Sequence, residues 1–428
     1  MSKSGLDVRR GSAAQSMLVS STSIRRALGR FTPVALLLAT WLTDSHAQVL
    51  AAGAPPDAAQ PGAAEARRVE RTPAELTAIA RLLAGIDPQS GGADLQAIAL
   101  TDSWKSHRKA SRYGDRQLQE RLQRMDHWQH ATLPPARAGT ALVYPFSGPD
   151  FVNAFALFPD YQTYVFFSLE PPGDIPALSA MDEHQRSELF SDLRGALNDL
   201  VALNFFITPN MQENLHTEAL QGIVPVLLAQ MGLLGLTVHS VEPFDPWPAS
   251  ALRATAGKPS EASNAAKEAK PALPLSAVRI EFDDHARKRR TLLYLSLDVS
   301  DSQLRFYPEF VPWLRSFEQP TVLLKSASYL LHGSNFQKVR GVLRERARLI
   351  VQDDTGMPYR LLRADGFQIS LYGQYEKPVK LFENRYQKDL DDAFGSAGNP
   401  DPVPFPFGYN WRKEGRSGVI VALRPGAA

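Results

Sequence analysis

The chain has 428 residues, no cysteine and a formal net charge of +2, with 44% hydrophobic and 21% charged side chains. The missing cysteines exclude disulfides, thiolate metal sites, a cysteine nucleophile and the acylated cysteine of a bacterial lipoprotein. Near-neutrality gives no electrostatic reason to expect a nucleic-acid partner, and the length allows one large domain or two to three smaller ones.

Arg25, Arg26 and Arg30 precede an apolar run from Phe31 to Leu42, and Ser45-His46-Ala47 follows with small-x-small spacing. A positive segment, a short apolar segment and that triplet predict a secretory signal peptide over residues 1–47, cleaved between Ala47 and Gln48. The run of 12 residues is too short to span a bilayer. Translation from Met17 would give the segment a more usual length. Cleavage leaves 41 basic and 43 acidic side chains, so the basic excess belongs to the address. The expected location is the periplasm or the exterior.

Residues 48–70 are rich in Ala, Pro and Gly and read as a disordered leader. Thr72-Pro73-Ala74-Glu75 has capping-box spacing with Pro at the first helical position, so a helix opens there. A second, strongly polar helix is expected over 102–130, and Pro134-Pro135 closes this region, 71–135. Strands are expected over 141–146 and 161–169 with a short helix over 149–158 between them. Leu189, Leu193, Leu197 and Leu200 put one apolar face on a helix over 182–206. A further apolar helix is expected over 213–236, kinked at Pro225 and buried rather than membrane-spanning because Gln221 and Gln230 interrupt it.

Residues 249–276, Ala-rich and without aromatics, read as a flexible linker between a first half, 136–248, and a second, 277–428. In the second half strands are expected over 277–282, 291–299, 349–352, 367–372 and 419–423, and helices over 301–317, 322–331 and 336–348. The order is neither an even βαβ alternation nor an all-β rhythm. The expected class is α+β, with mixed sheet packed on long helices in one integrated globular unit carrying an N-terminal helical extension.

Candidate chemistry lies where strands end. Tyr144-Pro145-Phe146-Ser147-Gly148-Pro149-Asp150 takes a strand into a helix, and Ser147 and Asp150 have the spacing of a capping box. The functional reading makes Asp150 an acid or base aimed into a cleft. Glu170 ends the next strand and would complete the carboxylate pair that glycan hydrolysis needs. Gln352-Asp353-Asp354-Thr355-Gly356 follows an apolar strand. Asp354-Thr355-Gly356 has the form of an aspartic-protease triplet, but no second copy exists in the chain. A turn with Gly356 at positive φ is the simpler reading. Tyr359 and Arg360 add an aromatic and an anion-binding group, and Tyr372 ends an aromatic strand. His332, before Gly333, reads as a helix C-terminus with Gly at C′, or as a catalytic histidine. His127 and His130 have a spacing that permits metal binding, but no zinc-protease pattern surrounds them. Asp283-Asp284-His285 reads as a hairpin turn. No P-loop or dinucleotide fingerprint is present, and neither a cofactor nor a metal is expected.

The segments Tyr144–Asp150, Tyr164–Pro172, Ala219–Gly235, Leu323–His332 and Gln352–Arg360, with Pro406-Phe407-Gly408-Tyr409, resemble a family of uncharacterised exported bacterial proteins. These share a strand–SGPDF–helix block and a QDD-S/T-G-x-PYR block. The likeness covers about residues 100–424. It implies export and one integrated fold, and brings no catalytic residues with it. The expected function is that of a periplasmic binding or envelope-associated protein taking a small molecule or an envelope polymer. The alternative is a hydrolase or lyase acting on envelope glycan or peptidoglycan through Asp150, Glu170, Asp353 and Asp354, with Tyr144, Tyr359 or His332 assisting.

Overall fold

The computed structural model describes residues 70–203, 220–247, 275–409 and 417–426. The signal segment, the leader, residues 204–219 and nearly all of the linker lie outside the described residues.

Thr72 caps the first helix, α1 (Pro73–Leu83). Its hydroxyl accepts from the Glu75 N–H, and the Glu75 carboxylate accepts from the Thr72 N–H at 2.7 Å. Helices α2 (Gly92–Ile98) and α3 (Asp102–Thr132) follow. The sequence of α3 is polar, yet Trp104, His107, Leu118, Arg121, Met125 and Trp128 form a buried stripe. The N-terminal helices therefore pack as a layer of the main body, which runs from Ala66 to the C-terminus.

One mixed, nine-stranded sheet organises that body. Its strands are β1 (Ala141–Pro145), β2 (Thr163–Ser168), β3 (Thr237–Pro243), β4 (Ser276–Asp283), β5 (Arg289–Ser296), β6 (Thr321–Leu324), β7 (Leu349–Gln352), β8 (Gln368–Tyr372) and β9 (Val419–Leu423). The order across the sheet is β3-β4-β5-β2-β1-β6-β7-β9-β8. The five central strands, β5 to β7, are parallel, and an antiparallel pair extends each edge. Because β1 pairs with both β2 and β6, the two sequence halves share this one sheet.

Alternation along the central strands builds two cores. Leu142, Tyr144, Tyr164, Phe166 and Val351 face the N-terminal helices, α4 (Phe151–Leu157), α5 (Glu183–Leu203) and α6 (Val224–Leu233). Val143, Val165, Phe167, Val322 and Ile350 face α7 (Phe310–Ser316), α8 (Gln337–Arg346), α9 (Tyr359–Ala364) and α10 (Lys388–Ser396). Strands buried on both faces carry near-continuous apolar runs, as the parallel centre requires.

Several sequence expectations are corrected. Pro225 stands in the first turn of α6 and kinks nothing; the helix starts at Val224 because Pro is tolerated there. Residues 322–331 are not a helix. Thr321–Leu324 is a strand between β1 and β7, followed by turns and a 3₁₀ turn at Leu330–His332. Of 301–317 only Phe310–Ser316 is helical. Asp284 makes the β4–β5 turn as expected, its carboxylate accepting from the Ala286 and Lys288 N–H groups.

Candidate functional site

The strand order reverses direction at β1. From there the chain builds outward to β2 on one side and to β6 and β7 on the other. In open α/β sheets such a point leaves a crevice beyond the carboxyl ends of the strands, where ligands bind. Asp150 follows β1, Lys325 follows β6, and Asp353 and Asp354 follow β7.

Asp150 and Lys325 form the centre. Lys325 Nζ lies 2.6 Å from Asp150 Oδ2, with the two side chains 2% and 3% exposed. Tyr144 donates its hydroxyl to the same oxygen at 2.9 Å, and Asn153 Nδ2 donates to Oδ1 at 2.7 Å. Burial and the Asp150 charge raise the Tyr144 phenol well above its ordinary value, so it remains a donor. Arg121 of α3 is buried nearby; burial lowers its pKa to about 10 against the opposing pull of Asp150.

The capping box expected at Ser147–Asp150 does not form. Asp150 occupies the N-cap of α4 without a side-chain cap bond, and Ser147 Oγ is buried with no hydrogen-bond partner. The carboxylate is drawn instead to the lysine and tyrosine beneath it. Asn153 Oδ1 and Ser326 Oγ are likewise buried and unpartnered.

Asp353 braces the loop after β7. Its Oδ2 accepts from the Ser326 N–H at 3.0 Å, and its Oδ1 accepts from the Thr355 N–H and hydroxyl at 3.0 and 2.5 Å. Gln352 clasps the same loop by bonding both the N–H and the carbonyl of Met357 at 2.8 Å. Gly356 does not have positive φ. It is needed because a Cβ there would lie 2.9 Å from Leu324 Cβ and 2.8 Å from Gln352 Oε1.

Asp354 accepts a hydrogen bond from the Tyr329 hydroxyl. Burial and the neighbouring Asp353 charge push its carboxyl up to about 7, so it holds a proton near neutrality. Asp353 is also raised, by burial, despite its donors and Lys325. A void of about 10 Å³, room for one water, touches both carboxyls beside Tyr375 and Tyr409. The loops around them are strained: Phe146, Ser326, Ser328 and Tyr329 all have φ between 52° and 58°. Such backbone persists only where its surroundings over-determine it, and it clusters at functional sites.

Beyond the same strand ends lies an open cavity of about 540 Å³. His332, Arg360, Arg385 and Lys388 line it, with Asp389 and Asp392. His332 is not the end of an α-helix; it closes the 3₁₀ turn, and Gly333 is extended rather than left-handed. Its ring packs edge-on against Tyr329. Burial and the charges of Arg385, Arg360 and Arg340 lower its pKa to about 3, so it is neutral.

Of the residues singled out in the sequence, Asp150, Asp353, Asp354 and Tyr144 meet at the switch point, with Ser147 beside them. His332 and Arg360 line the adjoining cavity. Glu170 is buried against Ser168, and among the described residues no hydrogen bond or ion pair joins it to Asp150. The direct partner of Asp150 is Lys325. Tyr359 is buried in the core, its N–H donating to Gln387 Oε1 at 3.0 Å. Tyr372 packs edge-on against Trp128 at 5.5 Å and serves the core. The His130 ring is engaged by the Asp126 carbonyl at 2.8 Å. Lys325, Ser326, Tyr329 and Gln387 were not among the site residues expected from the sequence. A lone lysine directly after an apolar Val-Leu-Leu run was the available signal.

The fold and this cluster together define a three-layer α/β/α protein with a charged, strained site at the switch point of a mixed sheet. Comparison with protein-family models, with curated proteins and with solved structures finds no match. No helix among the described residues is long and apolar enough to cross a membrane.

Proposed function

We propose that the protein is exported and works in the periplasm or outside the cell as a binding protein for a ligand derived from the envelope. The ligand is taken at the carboxyl ends of the parallel strands. The open cavity of about 540 Å³ against the loops after β6 and β7 carries this reading, because its volume and position suit a small ligand. Support for export comes from the arginines and apolar run before Ala47. A thermal-shift screen of the full chain against envelope glycans, peptidoglycan fragments and lipids tests the binding. At least one class should raise the melting temperature, and a flat response to all of them sinks it. Mass spectrometry of the protein from a periplasmic extract should find an N-terminus at or near Gln48; an intact Met1 or Met17 there overturns export by cleavage.

A second reading, a carboxylate-dependent hydrolase or lyase, is favoured by one observation. Asp354 holds a proton near neutrality beside a water-sized void, as a general acid must. In this reading wild-type protein releases new ends from glycan or peptidoglycan fragments and Asp354→Asn does not. Absence of turnover on every fragment that binds removes it.

A further inference from the structure

We propose that the cavity beyond β6 and β7 is a site for an acidic saccharide, with Arg360 and Arg385 clamping its carboxylate or phosphate. The proposal rests on the binding reading above and names the ligand chemistry.

Arg360 and Arg385 both line the cavity, and neither side chain makes an ion pair or hydrogen bond among the described residues. The other cations nearby are occupied. Lys388 Nζ is held by both oxygens of Asp392, at 2.8 and 2.6 Å, and Arg340 donates to the Leu331 and Gly333 carbonyls at 2.8 Å each. Two uncommitted guanidiniums on one concave surface present the planar fork that matches carboxylate and phosphate oxygens. The field they make is already visible at His332. The same arginine charges that help to strip its proton would attract an anion entering the cavity.

The remaining lining indicates what the anion is attached to. Asp389 also lines the cavity, and no ion pair or hydrogen bond among the described residues engages its carboxylate. A purely anionic ligand would be repelled there, whereas a ligand with hydroxyl donors would satisfy it. Tyr386 also lines the cavity, 44% exposed, its ring stacked on Tyr375 at 6.0 Å and its hydroxyl held by Asp391. A fixed, exposed ring offers an apolar face to the C–H side of a sugar. An anion clamp, a hydroxyl acceptor and an aromatic platform around one cavity fit a sugar acid or a sugar phosphate.

Isothermal titration calorimetry on the full chain tests this with glucuronate, glucose 6-phosphate, glucose and inorganic phosphate as probes. At least one of the two acidic sugars should bind more tightly than glucose, and which one does so tells carboxylate from phosphate. Arg360→Ala and Arg385→Ala should each weaken that probe about tenfold or more, as loss of a charge-assisted bond does. Asp389→Asn should weaken the sugar probes and leave inorganic phosphate unchanged. Arg360 is exposed and Arg385 half-buried, and unchanged melting curves will show that the variants fold. Glucose binding as tightly as the acidic sugars overturns the anion clamp while leaving the envelope-binding reading in place. Arginine variants that bind like wild type also overturn it. Inorganic phosphate matching the acidic sugars, with no effect of Asp389→Asn, overturns the saccharide. If neither acidic sugar binds, the site is not one for acidic saccharides, whatever the wider envelope screen finds.

Discussion

Lys325 and Asp150 form an ion pair 2.6 Å long in a place where water does not reach either side chain. Taking two charges out of water is expensive, and such a pair is held by geometry and by the extra bonds to its remaining lone pairs. Here Tyr144 and Asn153 supply those bonds. Removing one partner takes the nearest opposite charge away from a buried group. Lys325→Met should therefore lower stability to urea by about 3–5 kcal/mol. The double variant Lys325→Met, Asp150→Asn should lose less than the sum of the two single variants, because neither uncompensated charge then remains. Strict additivity in that cycle would show that the pair is not coupled.

Ser147 gives the complementary test of the strand–helix junction. A capping serine changed to alanine destabilises a helix by about 0.5–2 kcal/mol. In the structure its hydroxyl is buried and bonds to nothing, so the apolar replacement removes an unsatisfied group. Ser147→Ala should melt at the same temperature as wild type or slightly higher. A clear drop would restore the capping box.

Where the sequence misled and where it did not follows from how each signal arises. β7 and β9 were legible because short β-branched runs bounded by polar residues mark buried strands. The carboxylates at 150, 353 and 354 stood out because a charge directly after such a run is conspicuous. The same logic applied to Lys325, but Val322–Leu331 has enough leucine at helical spacing to pass for a helix. That misreading hid both β6 and the lysine. Its pairing with Asp150 depends on β6 lying beside β1, a non-local fact that no local pattern carries. Glu170 shows the opposite case. It too ends a central strand, yet its carboxylate turns to Ser168, and strand ends alone do not set where a side chain points.

Gly408 shows how tightly the loop near the C-terminus closes on the acid cluster. It has φ +71°, and a Cβ there would sit 2.1 Å from Asp353 Oδ2. Gly366 has nearly the same backbone, φ +75°, with nothing within 4 Å of its imagined Cβ. Gly366→Ala should show only the left-handed backbone penalty, roughly 1–2 kcal/mol. Gly408→Ala should lose more than that, because Asp353 must also shift and release Ser326 or Thr355. Equal losses in chemical denaturation would mean that Asp353 yields freely.

The proton on Asp354 makes a prediction whose sign can be worked through. Its carboxyl is raised to about 7 in the folded chain, by burial first and by Asp353 second. In the unfolded chain it titrates near the ordinary value of about 3.9. Below that value both states are protonated and the group contributes nothing to pH dependence. Between about 4 and 7 the folded state holds more protons than the unfolded one, so this group makes stability fall as pH rises. His332 and His107 act in the opposite direction. Burial lowers them to about 3 and about 4, so the unfolded state binds more protons up to about 6.5 and stability rises with pH. These histidines oppose Asp354 and the likewise raised Asp353 and Glu170, so the slope of the wild-type curve does not isolate any one group. The difference between Asp354→Asn and wild type isolates the carboxyl, since the histidines are common to both. Asparagine still accepts from Tyr329 but cannot ionise. The variant should gain stability relative to wild type steadily from pH 4 to 7, with a constant difference at higher pH. A difference that is flat across that window would mean that Asp354 is already ionised in the fold, and would remove it as a candidate proton donor.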